Sequence, residues 1–177
     1  MITDLRWWLA ELDKPYVYRE LRPRGEVQDL GIYVDASTSW GIGIIIKGRW
    51  ASFRLQPDWK TEGRDICWLE TLALELLFYF LEVMGFKNVH LLIHSDNQGA
   101  IGALDKGRSP NYHINLSIRR LHTVLVPNFI TPFLKFVPSK DNPADPISRG
   151  ESGSPDTKLP CLFRLPDELK PVFVIED

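Results

Sequence analysis

Ile32-Tyr33-Val34-Asp35-Ala36-Ser37-Thr38 is the stretch on which the reading of this chain turns. Three apolar, strand-forming residues lead into a carboxylate, and small hydroxyl residues follow it. An acid at the end of a buried strand is costly unless something compensates its desolvation, and a metal ion is the usual compensation. A turn former or helix cap is the ordinary alternative for a lone Asp at such a position. The metal reading therefore depends on further carboxylates reaching the same point, and the chain offers Glu70, Asp96 and Asp145.

Outward from Asp35, three short apolar segments follow one another: Leu30 to Asp35, Gly41 to Lys47 and Trp50 to Leu55. Their close spacing suits two antiparallel hairpin turns. After a polar loop from Gln56 to Gly63, the pattern predicts a long helix from Asp65 to Met84, ended by Gly85. It is apolar on most faces, so it should lie against a sheet and be covered on its other side. Val89 to His94 reads as a strand, and Ser95-Asp96-Asn97 as the start of a helix running to about Leu104. A third helix from Tyr112 to Val126 carries the stripe Ile114, Ile118, Leu121 and Leu125, with Pro127 as its stop. Ile130 to Val137 is the last strand, and Asn142-Pro143 reads as a cap and the first-turn proline of a final helix.

The order β-β-β-α-β-α-α-β-α predicts an α/β fold with a mixed sheet flanked by helices. If the first and fourth strands are parallel neighbours, Asp35 and Asp96 leave the sheet at the same end. Glu70 lies in the first turns of the intervening helix, and Asp145 opens the last one. Each acid has an ordinary alternative. Asp96 reads equally as a plain helix cap, Glu70 as a solvated helix residue, and Asp145 as a solvated acid with Asp141 as its rival. Glu75 and Glu82, further along the helix of Glu70, read as surface charge.

Composition bounds the rest. The 177 residues suit one domain with extensions, and a hydrophobic fraction of 44% supports a real core. A net charge of −2 excludes a global basic field, so a nucleic-acid partner would be held by a local patch. The two cysteines, Cys67 and Cys161, show no metal spacing and fit a reducing compartment. Met1 is followed closely by Thr3, Asp4 and Arg6, which does not read as a signal peptide, and Leu69 to Met84 carries Glu70, Glu75 and Glu82, which argues against a membrane span. The expectation is an intracellular protein, cytoplasmic or nuclear. Residues 1–28 read as an N-terminal helix, capped by Thr3 and bearing Trp7 and Trp8, with a connector. Residues 29–150 form the domain, and 151–177 a Pro-rich tail, linker-like at first, whose Leu162, Phe163, Leu165, Val172, Phe173 and Val174 can pack on it.

Four converging carboxylates repel: at an effective dielectric near 20, one pair about 4 Å apart costs around 4 kcal/mol. Hard oxygen ligands at an open site suit Mg²⁺, with Mn²⁺ as a substitute. Two such ions about 3.5–4 Å apart stabilise both the attacking and the leaving oxygen in phosphodiester hydrolysis.

Ile32 to Thr38, Trp68-Leu69-Glu70 with Ala73, the turn Ser95-Asp96-Asn97-Gln98 and above all Asn142-Pro143-Ala144-Asp145-Pro146-Ile147-Ser148-Arg149 resemble the ribonuclease H domain of retroelement reverse transcriptases. The Asp-Asn turn and the tryptophan pair are most similar to retrotransposons of the DIRS type. The resemblance covers about residues 4 to 150. It implies a five-stranded ribonuclease H-like sheet, three antiparallel strands followed by parallel ones. It also implies Mg²⁺-dependent cleavage of the RNA strand of an RNA–DNA hybrid, leaving 3′-hydroxyl and 5′-phosphate ends. Asp35, Glu70, Asp96 and Asp145 fall on the family's metal-binding acids. Gln98 falls on a position that touches the hybrid's minor groove, where A-like duplexes expose 2′-hydroxyls. Ser37, Asn97, Gln98, Arg119, Lys140 and Arg149 are the candidate substrate-binding residues, and Lys106, Arg108, Arg120 and Lys135 are further candidate phosphate contacts. A polymerase domain of the parent polyprotein is the implied protein partner.

Three departures bear on activity. Phe136 stands where many relatives carry a histidine, Cys67 where they carry a polar substrate contact, and Pro146 disfavours helical geometry at Asp145. Phe136 and Cys67 favour the alternative of a catalytically weak or inactive module on the same fold that binds nucleic acid or protein, and the four retained acids speak against it. Another nuclease or transposase on that fold, cutting DNA, is the remaining reading.

Overall fold

Alternating apolar residues build an antiparallel meander from Val27–Ala36 (β1), Gly41–Ile46 (β2) and Arg49–Arg54 (β3). The computed structural model describes residues 2–13, 25–61 and 63–174. Most of the expected connector, 14–24, lies outside the described residues. β1 starts three residues before Leu30 because a bulge lets it. Gly31 adopts φ 61, its amide donates to Asp29 Oδ1 at 3.0 Å, and the pairing register shifts between Asp29 and Ile32. Between β2 and β3, Lys47 (φ 52) and Gly48 (φ 72) form a two-residue turn with both centres left-handed, the hairpin geometry that matches strand twist.

The long helix is Ile66–Val83 (α2; the shorter helix Ile2–Leu12, α1, precedes the sheet). Asp65 caps α2 by accepting the Trp68 amide at 2.8 Å, and Gly85 follows it at φ 78. Every residue from Trp68 to Phe78 is buried. The all-round apolar pattern is explained by α2 packing on β1 and β2 and against the helix Tyr112–Asn128. Val89–Ser95 (β4) joins β1 in parallel, and Ile130–Phe136 (β5) joins β4 in parallel, giving the order β3-β2-β1-β4-β5. The protein is thus α/β with a five-stranded mixed sheet, three strands antiparallel and the rest parallel.

Four helix boundaries differ from expectation, one of them that of the helix Ala144–Ser148, whose N-cap is Pro143 and not Asn142. Thr3 lies inside α1 and does not cap it. The helix after β4 is Gln98–Lys106 (α3), capped by Asn97, whose Oδ1 accepts the Ala100 amide at 2.9 Å. Asp96 is therefore outside the helix, and its ordinary role as a cap is taken by its neighbour. Tyr112–Asn128 (α4) runs through Pro127, because the ring sits in the last turn, before Phe129 ends the helix at φ 52.

The last helix, Ala144–Ser148 (α5), includes Asp145 in helical geometry. Pro146 falls in the first turn, where a missing N–H costs nothing, so the expected backbone misplacement is not found. α5 lies across β1 and β2 over Gly43, the residue paired with Asp35. A Cβ at Gly43 would lie 2.5 Å from Ala144 O and 2.6 Å from Ser148 N. Gly43→Ala is expected to push α5 off the sheet, destabilising the fold by about 1–3 kcal/mol as overpacking does. Urea unfolding would read that loss, and an unchanged midpoint would refute the close approach.

The segment after Gly150 is a packed strap. Leu159 N donates to Trp50 O at 2.7 Å, Val174 N to Arg54 O at 2.8 Å and Trp50 Nε1 to Ser154 O at 2.8 Å. Leu159, Leu169, Val172 and Phe173 join the same core as the sheet. The strap thereby covers β3, a strand whose free edge would otherwise be a template for mispairing. Among the described residues, no helix is long and apolar enough to cross a membrane.

Candidate metal centre

The parallel pairing of β1 and β4 brings the ends of both strands together. Asp35 is the penultimate residue of β1, Asp96 follows β4, and Glu70 projects from the first turns of α2. Asp35 and Glu70 are each only 3% exposed. These three acids each offer an oxygen within 4.8 Å of the others.

Each acid divides its two oxygens in the same way. One is held by the protein: Glu70 Oε1 accepts the Ala36 amide at 3.2 Å, Asp35 Oδ2 accepts the Ser148 hydroxyl, and Asp96 Oδ2 accepts the Ser139 hydroxyl. The other is left over. Glu70 Oε2 and Asp96 Oδ1 are buried with no hydrogen-bond partner, and Asp35 Oδ1 has Asn142 Nδ2 at the 3.5 Å limit. A buried, unpartnered carboxylate oxygen is expensive, and three acids around one point are worse. A hard divalent cation is the compensation this donor set fits.

The electrostatics agree. Burial, followed by the neighbouring charges of Asp96 and Asp145, pushes the Asp35 carboxyl up to about 7, although the Ser148 hydroxyl pulls the other way. Glu70 is held well above the usual carboxylate range by burial and then by Asp35 and Asp96, against the Ala36 amide. For Asp35 the folded value lies above the ordinary 3.8, so the proton it retains stabilises the metal-free fold. That contribution is complete below the unfolded value and is lost as pH rises through about 7. Differential scanning fluorimetry in EDTA should therefore show Tm falling between about pH 5 and pH 8, with millimolar Mg²⁺ restoring it at the upper end. A Tm that is flat in EDTA and indifferent to Mg²⁺ would contradict this.

Asp145 is placed differently. Both of its oxygens are taken by Arg149, with Nε at 2.9 Å from Oδ2 and Nη2 at 2.8 Å from Oδ1, and this guanidinium holds the carboxyl below its usual range. It lies outside the three-acid cluster but close enough for its charge to act on Asp35. Its rival Asp141 is exposed in the 3₁₀ turn Ser139–Asp141.

The candidate substrate contacts have mixed positions. Ser37 is buried, and its hydroxyl is spent on Ser39, at 2.8 Å from Oγ. Asn97 is engaged as the α3 cap. Gln98 is exposed at the start of α3, and Arg119 is exposed on α4. Lys140 borders a surface recess of about 330 Å³ shared with Ser139, Asn142 and Asp145. Lys106, Arg108 and Lys135 are exposed.

Two expectations are overturned. The Arg120 guanidinium, expected at the phosphate surface, is committed to Glu75, and Glu75 is not surface charge. Glu75 is fully buried and forms a two-point ion pair with Arg120, 2.6 Å from Nε and 2.9 Å from Nη2. Glu82 is exposed as expected and accepts from Asn128 Nδ2 at 3.2 Å. Cys67 is half-buried one turn before Glu70, where a Cβ on Gly99 would come within 2.9 Å of its sulfur, so its thiol faces the α2–α3 contact. Phe136 is half-exposed at the end of β5.

Sequence reasoning missed the donors that fix the acids. Ser148 and Asn142 lie in the closing motif, and Asn142 Nδ2 also donates to Val34 O at 3.0 Å, tying that segment to β1. Ser139 carried no signal beyond being a hydroxyl close before the motif. No protein-family model matches this chain, and no curated protein does.

Proposed function

We propose that this chain is a ribonuclease H-like, metal-dependent endonuclease that hydrolyses the RNA strand of RNA–DNA hybrids, in the service of retroelement reverse transcription. One observation carries the reading: three acids from the end of β1, from α2 and from just after β4 each have one oxygen on a protein donor, and each offers an oxygen within 4.8 Å of the others. The sheet, three antiparallel strands followed by parallel ones, is the kind the resemblance implies.

In this reading Asp35, Glu70 and Asp96 hold Mg²⁺ or Mn²⁺, with Asp145 as the fourth ligand for a two-ion site. Bound ions of this kind supply an activated water and charge stabilisation on the scissile phosphate. The chain's residues do the rest. Ser148, Ser139 and the Ala36 amide fix the rotamers of the acids, so that their free oxygens need no reorganisation. Gln98, exposed two residues after Asp96, would read 2′-hydroxyls in a shallow minor groove. Lys140 and Arg149 offer phosphate contacts. Among the described residues the basic contacts offered are these two, so binding is weak and salt-sensitive, and a polymerase domain in the same polyprotein would help to hold the duplex. The place of action is the cytoplasm or nucleus.

The second reading, a weak or inactive module that binds nucleic acid or protein, is favoured by the pairing of Asp145 with Arg149. An end-labelled hybrid in low salt, with Mg²⁺ and separately Mn²⁺, tests both. Cleavage of the RNA strand alone, with double-stranded RNA and DNA left intact, supports the nuclease. Hybrid binding without cleavage in either metal supports the module, and cleavage of DNA points to a different nuclease.

A further inference from the structure

The fourth acid contrasts with the other three. Asp35, Glu70 and Asp96 each leave an oxygen available, whereas Asp145 has both committed to one guanidinium. Yet its backbone is fastened to the centre. The Ser148 hydroxyl that reaches Asp35 also lies 2.9 Å from Asp145 O, and α5 sits tightly over Gly43. Its charge already acts on Asp35, and a turn of the Asp145 side chain is the movement that would bring its carboxylate towards the cluster.

We propose that Arg149 is a phosphate-operated latch on Asp145: it withholds the fourth ligand until a substrate phosphate takes the guanidinium. This rests on the metal-dependent reading above. The physical case is one of competition. The Arg149 side chain is 56% exposed and the pair is a surface i,i+4 pair, a weak class of interaction. A phosphodiester offers the same two-point acceptor geometry to an arginine fork. The charge of Arg149 also acts on Asp35 and Asp96, so it partly offsets the acid cluster while latched. Its departure towards phosphate frees Asp145 and deepens the negative potential at the metal point in one movement. Full metal loading thereby becomes coupled to substrate.

The test is Mn²⁺ titration calorimetry on the full chain without nucleic acid. If the latch engages Asp145 in about four molecules of five, Arg149→Ala tightens Mn²⁺ binding about fivefold. The gain must pass through Asp145. It should shrink to less than about twofold in an Asp145→Asn background, because the two residues then have nothing left to couple. Asp145→Asn alone should weaken Mn²⁺ binding severalfold, because the unlatched fifth of the molecules carries most of it, whereas Asp96→Asn should abolish binding. Fluorescence anisotropy of a labelled RNA–DNA hybrid in EDTA, over a salt series, should lose about one unit of log–log slope in Arg149→Ala. No gain in Arg149→Ala, a gain that persists with Asp145→Asn, or an unchanged salt slope overturns the latch. Absence of Mn²⁺ binding by the unmodified chain would instead overturn the metal reading, and the latch with it.

Discussion

Asp96→Asn will leave an RNA–DNA hybrid uncut where the unmodified chain cleaves it, and the same substitution will raise the melting temperature of the metal-free protein. The two effects have one cause. Asp96 Oδ1 is buried without a partner, and Asp96 offers an oxygen within 4.8 Å of those of Asp35 and Glu70. An amide is nearly isosteric, keeps an acceptor for the Ser139 hydroxyl and can donate to a neighbouring carboxylate. Repulsion is thereby exchanged for a hydrogen bond. A bare pair of charges about 4 Å apart costs around 4 kcal/mol at an effective dielectric of 20, and relaxation reduces the expected gain to about 1–2 kcal/mol. At this chain length that is worth roughly 2–4 °C per kcal/mol. The chemistry moves the other way. Metal-assisted charge stabilisation supplies several kcal/mol, and each 1.36 kcal/mol is a factor of ten, so cleavage should fall by about a thousandfold. Asp35→Asn and Glu70→Gln should behave alike. Hybrid cleavage and fluorimetry in EDTA read both effects on the same preparation. An acid with a purely structural role would give the reverse, a lower Tm with activity nearly intact, and either result would end the metal assignment.

What the sequence could reveal follows from how locally each feature is determined. β1 to β4 and α2 are written in short-range patterns: β-branched runs, close hairpin turns, and a long apolar helix between a capping Asp and a Gly. The meeting of Asp35, Glu70 and Asp96 was legible because strand direction alone brings the ends of parallel neighbours together. The state of Asp145 was not, because it depends on a side-chain choice. An acid four residues before an arginine on a helix can face its neighbour or the cluster, and the pattern is the same in both cases. Ser139 and Ser148 were illegible as clamps for a related reason, since any surface hydroxyl reads alike until its partner is located. The wrapped strap from residue 151 onwards hides behind prolines that look like a linker. Its apolar residues find the β3 edge only after the sheet exists.

Arg120→Ala is expected to destabilise the fold by about 3–5 kcal/mol, more than Gly43→Ala. Glu75 could have been suspected, since a charge among Leu72, Leu74, Leu76 and Leu77 on a helix buried all round needs a partner. Arg120 supplies it from α4 with two hydrogen bonds, Tyr79 donates a third to Glu75 Oε1 at 2.7 Å, and Ser117 Oγ takes an arginine N–H at 3.2 Å. Burial and the Glu75 charge hold the Tyr79 phenol far above its usual range, so the tyrosine remains a donor at any working pH. Deleting the guanidinium leaves a fully buried carboxylate with one hydroxyl for company. Urea unfolding should show the loss in the midpoint with little change in slope. Removing both charges is a different matter, because a well-packed apolar pair commonly replaces a buried ion pair at little cost. Glu75→Leu combined with Arg120→Leu should recover most of the stability, and no recovery would mean that packing, not an orphaned charge, is responsible. Neither variant touches the three-acid point. Below their melting temperatures, Mn²⁺ affinity and the salt slope of hybrid binding should match those of the unmodified chain. A reduced salt slope in Arg120→Ala would return this arginine to the substrate surface, from which its bond to Glu75 withdraws it.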